Sequence, residues 1–231
     1  MADGTRLRVV TYNVHSLRDD RAALASVVRD LAPDVVIVQE SPRRLRWRTR
    51  CATLAHAFGL VVAAGGQPAV GNLVLTSYRV RVHDTWVVRY PLVPGRHLRG
   101  AAFARCSVGR VPFVVVGSHL SLDPTERVSQ AHSLRATLAG LDAPVVLGVD
   151  VNDVPDSVAW RRLCDGRRDA AVAGPAHAGG TATFPADGRR IDAIFVDSAI
   201  EVAGYRVVDS DLARRASDHL PVVADLVLPV G

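Results

Sequence analysis

Six places in this 231-residue chain put an oxygen or imidazole group at the end of a short apolar run, or beside it. Asn13 follows Val10-Thr11-Tyr12, and Glu40 follows Val35–Gln39. His119 follows Val114–Ser118, and Asp150 and Asn152 follow Val145–Val149. Asp192 lies inside Arg189–Phe195, and Asp218 and His219 precede the last apolar run in Ser217-Asp218-His219-Leu220-Pro221. Oxygen donors with imidazoles and no thiol suit a hard divalent cation, Mg²⁺ or Mn²⁺, better than structural zinc. Each residue alone has a plainer reading. Asn13 can be a turn residue, Glu40 a solvated strand end, Asp150 and Asn152 an Asx-turn pair, and Asp218 a cap or loop residue. Six such coincidences in this order are improbable, so the set is read as one site.

Short runs rich in Val and Ile must position these groups. The strand expectations are Leu7–Tyr12, Val35–Gln39, Leu60–Ala64, Leu73–Ser77, Trp86–Tyr90, Ala101–Cys106, Phe113–Ser118, Val145–Val149, Ile191–Val196 and Val222–Leu228. Helical spacing of apolar residues marks Asp19–Leu31, capped by Asp19 or Asp20, and Pro124–Leu141, capped by Asp123. Weaker helical patterns cover Arg46–Phe58 and Asp156–Cys164. Asp165–Gly180 has little periodicity and reads as a surface loop. No linker or internal repeat divides the chain, which points to one α/β domain over residues 1–231.

Composition narrows the class. The hydrophobic share is 48% and the charged share 22%, which excludes a disordered chain. All 28 basic residues are Arg, and the net charge is +5. A GC-rich coding sequence accounts for the missing Lys. The positive balance still favours an acidic partner: nucleic acid, a phosphorylated small molecule or an anionic surface. Cys51, Cys106 and Cys164 form neither a C-x-x-C pair nor an even set, which argues against a disulfide framework and a zinc site. The chain shows no secretory leader and no apolar run long enough to span a membrane, so a cytoplasmic protein without membrane insertion is expected.

The ordered motifs Thr11-Tyr12-Asn13, Gln39-Glu40, Ser118-His119-Leu120, Asp150-Val151-Asn152, Arg190-Ile191-Asp192 and Ser217-Asp218-His219-Leu220-Pro221 resemble the endonuclease/exonuclease/phosphatase (DNase I-like) superfamily. The resemblance runs from about Leu7 to about Leu228. It departs at Val151 and Ala193, where the family often has aromatic residues. It implies a four-layer α/β sandwich, with two mostly antiparallel sheets packed face to face and flanked by helices. It also implies roles. Glu40, Asn13 and Asp218 would bind Mg²⁺ or Mn²⁺. Asp150 would orient or deprotonate water, and Asn152 would hold the phosphate or metal. His219 would contact the scissile phosphate, with Asp192 setting its tautomer. His119 would donate to a phosphate oxygen.

The substrate is less legible. His119 stands where the abasic-site branch usually has Tyr, which leans away from that branch. The run Arg43-Arg44-Leu45-Arg46-Trp47-Arg48-Thr49-Arg50 is either a groove wall for a nucleic-acid backbone or a solvated helix face with Trp47 in the core. Asn72, Arg43, Arg46 and Arg190 are the expected substrate contacts, and Arg96, Arg99 and Arg189 are possible companions on that face. Arg127 and Gln130 are expected to brace a loop, and His15 to lie near the site. The leading expectation is a monomeric, metal-dependent nuclease. The alternatives are a phosphomonoesterase, a phospholipid phosphodiesterase, or an inactive nucleic-acid-binding module on the same fold.

Overall fold

The computed structural model describes residues 4–175 and 181–229. Two six-stranded sheets form its centre. The first runs β11 (Glu201–Val207), β12 (Val222–Leu228), β1 (Thr5–Asn13), β2 (Val35–Gln39), β4 (Asn72–Thr76), β3 (Val61–Gly66). The second runs β5 (Val80–Arg89), β6 (Gly100–Val108), β7 (Val111–His119), β8 (Val145–Asp150), β10 (Asp192–Asp197), β9 (Arg167–Asp169). Each sheet has one parallel pair, β1 with β2 and β7 with β8; the other pairs are antiparallel.

A parallel pair needs a crossover, and both crossovers are helical. α1 (Arg21–Leu31) joins β1 to β2, and α3 (Pro124–Ala139) joins β7 to β8. The Asp20 side chain caps α1 by accepting from the Ala22 and Ala23 amides, and Asp123 caps α3 by accepting from Glu126. Leu24, Val27, Val28 and Leu31 form the buried face of α1. Against it pack α2 (Trp47–Phe58) and α6 (Asp211–Ala216) on the first sheet; α3 packs with α4 (Val158–Cys164) on the second. The layer order is therefore helix, sheet, sheet, helix, as the resemblance implies.

Between the sheets, Ile37 reaches the second sheet at two glycines. A Cβ on Gly117 would lie 2.7 Å from Ile37 Cγ2, and one on Gly148 would lie 2.6 Å from Ile37 Cδ1. These glycines let the ends of β2, β7 and β8 approach closely, which brings their terminal side chains to one seam.

Several boundaries and four elements differ from the sequence reading. Asp165–Gly180 is not simply a surface loop. Arg167–Asp169 pairs with β10 as an edge strand, and Ala170–Ala173 forms α5, capped by Asp169. Buried Asp169 organises this segment, while residues 176–180, including His177, lie outside the described residues. β11 and α6 have no counterpart among the expected elements. β5 starts at Val80 rather than Trp86, because its first half is an exposed edge without burial alternation. Cys51 and Cys106 are buried free thiols, and Cys164 is a half-buried one. No helix among the described residues is long and apolar enough to cross a membrane.

Candidate active site

Asn13, His119 and Asp150 are the last residues of β1, β7 and β8, and Asp192 is the first of β10. In the sheet register His119 stands beside Asp150, and Asp150 beside Asp192. All four are buried, as is His219. Asp150 Oδ2 accepts from Asn13 Nδ2 at 2.9 Å. The same oxygen lies 3.2 Å from His119 Nε2 and 4.0 Å from His219 Nε2. Asp150 Oδ1 accepts from the Asn152 amide at 3.0 Å, and Asn152 Nδ2 reaches both His119 Nε2 and the Leu120 carbonyl at 2.9 Å. Asn152 holds this position with a left-handed φ of 55°.

His219 Nδ1 is 2.8 Å from Asp192 Oδ2, which fixes the ring so that Nε2 faces Asp150. Two side chains to which the sequence reading gave no role set this geometry. Thr183 Oγ1 accepts from the Ile191 and Asp192 amides, and Ser217 Oγ accepts from the His219 amide while donating to the Asn13 carbonyl. Phe184 packs on the imidazole with ring centroids 5.0 Å apart. Neither Thr183 nor Phe184 sits in a run with a recognisable signal.

The two histidines are driven in opposite directions. Burial works against charge on His219, but the Asp192 carboxylate, with Asp150 and Asp218 behind it, outweighs burial and raises the pKa to about 10. His219 is an imidazolium at neutral pH. Burial dominates at His119 and lowers its pKa to about 3 despite Asp150, so His119 is neutral. Its Nε2 faces Asn152 and Asp150 inside the site. Asp150 itself is pushed above the usual carboxylate range, first by burial and then by Asp192.

The remaining expected ligands gather on the turn after β1. His15, Ser16 and Leu17 all have left-handed φ, at 44°, 55° and 59°. Such backbone costs about 1–3 kcal/mol per residue and persists only where its surroundings fix it. Here Ser16 Oγ donates to Glu40 Oε2 at 2.8 Å, and the His15 amide donates to Asn13 Oδ1. The His15 ring bridges Asp19, 2.7 Å from Nδ1, and Asp218, 3.6 Å from Nε2. The turn thus ties Glu40, Asn13 and Asp218 to one strand end. Among the described residues, two groups have donor atoms close enough to share an ion: Asp150 with Asp192 and His219, and His15 with Asp19 and Asp218. Glu40 belongs to neither. The donors are mostly carboxylate oxygens, and Asp192 Oδ1 is buried without a hydrogen-bond partner. That donor chemistry fits a hard divalent cation.

The expected substrate contacts divide. Arg43 is exposed beside the site: its Cδ and Glu40 Cα flank the space above Gly71. Asn72 is buried, and its Nδ2 donates to the Ala69 and Gly100 carbonyls, so it braces β4 against β6. Arg46 is exposed at the start of α2 and makes no side-chain cap bond there. Arg190 is not offered to a substrate: both of its terminal nitrogens bind Asp169, and it lies over the Trp160 ring. Trp47 packs against Gly66 with Arg48 over its ring, so it is partly core. Arg127 and Gln130 do brace the loop after β7, through the Ser121 and Leu122 carbonyls and the Ser121 amide.

The sequence model of the endonuclease/exonuclease/phosphatase family matches residues 10–219. The chain belongs to this family. Its members are phosphoesterases, and the site described above lies within the matched span. A family protein from Bacteroides vulgatus is similar over 97% of this chain and 100% of its own, with 19% identity and a TM-score of 0.83. The Bacteroides thetaiotaomicron mannosyl-6-phosphatase is similar over 96% of this chain and 100% of its own, with 16% identity and a TM-score of 0.79. TDP2 from D. rerio, solved with a single-strand DNA product, is similar over 96% of this chain and 99% of its own, with 20% identity and a TM-score of 0.78. At these identities the likeness is one of fold. No curated protein matches the chain significantly.

Proposed function

We propose that the protein is a divalent-metal-dependent nuclease that hydrolyses phosphodiester bonds in nucleic acid. The observation that carries the reading is the buried line Asp192–His219–Asp150, in which a charged imidazole faces a carboxylate held above its usual pKa. Phosphate ester hydrolysis needs water positioned in line and charge placed where negative charge develops. Asp150, anchored by Asn13 and the Asn152 amide, orients the water and takes its proton. A carboxyl with a raised pKa is a stronger base for that transfer. His219, kept protonated and aimed by Asp192, places positive charge against the phosphate. Neutral His119 and Asn152 hold the other side of Asp150 and contact phosphate oxygens. Glu40, Asn13 and Asp218 are the residues assigned to Mg²⁺ or Mn²⁺, which when bound supplies charge neutralisation at the phosphate.

Arg43 beside the site and the exposed arginines that follow it favour a polyanionic strand as substrate. A phosphomonoesterase is the second reading, favoured by the shared architecture with a mannosyl-6-phosphatase. Purified protein with Mg²⁺ or Mn²⁺ should be offered plasmid DNA, RNA, sugar phosphates, phosphoinositides, sphingomyelin and an aryl phosphodiester, with Asp150→Ala as the blank. Nucleic-acid cleavage that disappears in the blank is expected. Phosphate release from sugar phosphates with nucleic acid left intact would select the second reading. Cleavage confined to lipid headgroups would overturn the proposal.

A further inference from the structure

A groove between α1 and α2 opens beside the turn that follows β1 and encloses about 200 Å³. Its floor is apolar. Arg50, Leu54 and Phe58 recur every fourth residue along α2, and Leu54 and Phe58 line the floor together with Leu17 of the turn. Its rim carries Arg21 and Arg50, and among the described residues no carboxylate lines it. Arg21 donates from Nε to the Leu17 carbonyl, and the Arg50 guanidinium has no hydrogen-bond or ion-pair partner among the described residues. Other clefts pair their arginines with acids: Arg96 with Asp123, Arg8 with Asp225 and Arg135 with Asp165.

An apolar floor under an unopposed positive rim suits an amphiphilic anion. An apolar cavity of about 150 Å³ holds a benzene ring, so this groove has room for one ring or a short chain. The guanidinium forks match the two oxygens of a carboxylate. Leu17 connects the groove to the reaction centre. It closes the left-handed turn whose Ser16 holds Glu40 and whose His15 reaches Asp218. A ligand packed on Leu17, with its charge on the arginine that grips the Leu17 carbonyl, favours that turn over relaxed alternatives.

We infer that the groove is an effector site for a small apolar carboxylate, with its chain or ring on Leu17, Leu54 and Phe58 and its anionic end between Arg21 and Arg50. Occupancy stabilises the turn that presents Glu40 and Asp218. That coupling rests on the reading of Glu40 and Asp218 as metal ligands. Carboxylate and cation favour the same turn, so each strengthens the binding of the other by the same factor.

The test titrates hexanoate, 3-phenylpropanoate and their neutral amides into metal-free protein by calorimetry. At least one carboxylate should bind, and its amide about tenfold more weakly. Tighter binding of hexanoate identifies an aliphatic effector, and tighter binding of 3-phenylpropanoate an aromatic one. Arg50 and Thr53 are exposed on the rim, so neither variant below should melt below wild type. Arg50→Ala should lose about tenfold in carboxylate affinity, and Thr53→Trp, which plugs the groove, should lose binding altogether. Mn²⁺ should then bind wild type about fivefold more tightly, or better, when the carboxylate is saturating. Arg50→Ala at the same carboxylate concentration should show a smaller shift, which separates coupling from chelation of Mn²⁺ by the carboxylate in solution. No binding of either carboxylate, equal binding of the amides, undiminished binding by Arg50→Ala, or a Mn²⁺ affinity unmoved by saturating carboxylate would overturn the inference. If the carboxylate binds as expected but wild type takes up no Mn²⁺, the metal reading fails and the groove stands as a carboxylate site.

Discussion

The two sheets share one frame and use it differently. In the first, β1, β2 and β4 bring Asn13, Gln39 and Asn72 to the seam; in the second, β7, β8 and β10 bring His119, Asp150 and Asp192 to equivalent positions. The first set is neutral. Gln39 Nε2 donates to Thr11 Oγ1, and Asn72 closes onto backbone carbonyls. The second set is ionisable and buried, and its members perturb one another. Amides hold strand ends together at little electrostatic cost. Buried carboxylates and imidazoles cost more, and persist where their reactivity is used. The difference places neutral braces at these three ends of the first sheet and ionisable groups at those of the second, with Asn13 linking the two sets through Asp150.

The comparison breaks most readily at Asp150. Asp150→Ala should lower turnover of any cleaved ester by roughly 10²-fold or more. Single-turnover kinetics would measure it, and wild-type rates would remove Asp150 from the chemistry. A smaller loss, roughly tenfold, is expected for Asp192→Asn, because His219 stays in place but loses its orienting charge.

Stability against pH sharpens the same contrast. The folded pKa of His219, about 10, lies above the ~6.5 of a free imidazole. The His219–Asp192 pair therefore stabilises fully below about pH 6.5 and loses that contribution as pH rises through about 10. Denaturant unfolding of metal-free protein should show this decline, and Asp192→Asn should flatten it. An identical slope in the variant would mean that His219 is not charged by this partner. The smallest effect belongs to the neutral sheet. Gln39→Met should change turnover by less than about threefold and stability by about 1 kcal/mol. A loss matching that of Asp150→Ala would erase the division between the sheets.

Much of this was legible in the chain because both signals are local. Apolar runs of Val and Ile announce the strands, and the polar residue closing each run is a candidate for the seam. Val35–Gln39 and Val222–Leu228 match their expected bounds for that reason. What was hidden depends on tertiary partners. β11 carries a bulge between Val202 and Gly204, which breaks the alternation that would have marked it. Arg190 looked available because its partner, Asp169, lies 21 residues away in a segment without periodicity. Thr183 acts through backbone amides, which leave no pattern, and Ser217 showed in its motif without showing what it holds.

The central claim is that Asp150 and His219 act as one unit, and a double-mutant cycle tests it most directly. Turnover of an aryl phosphodiester in Mg²⁺ would be measured for Asp150→Ala, His219→Ala and the double variant. Residues serving one step lose activity non-additively, so the double variant should be about as slow as the worse single one. Losses that multiply would contradict the account and place the two residues in separate roles.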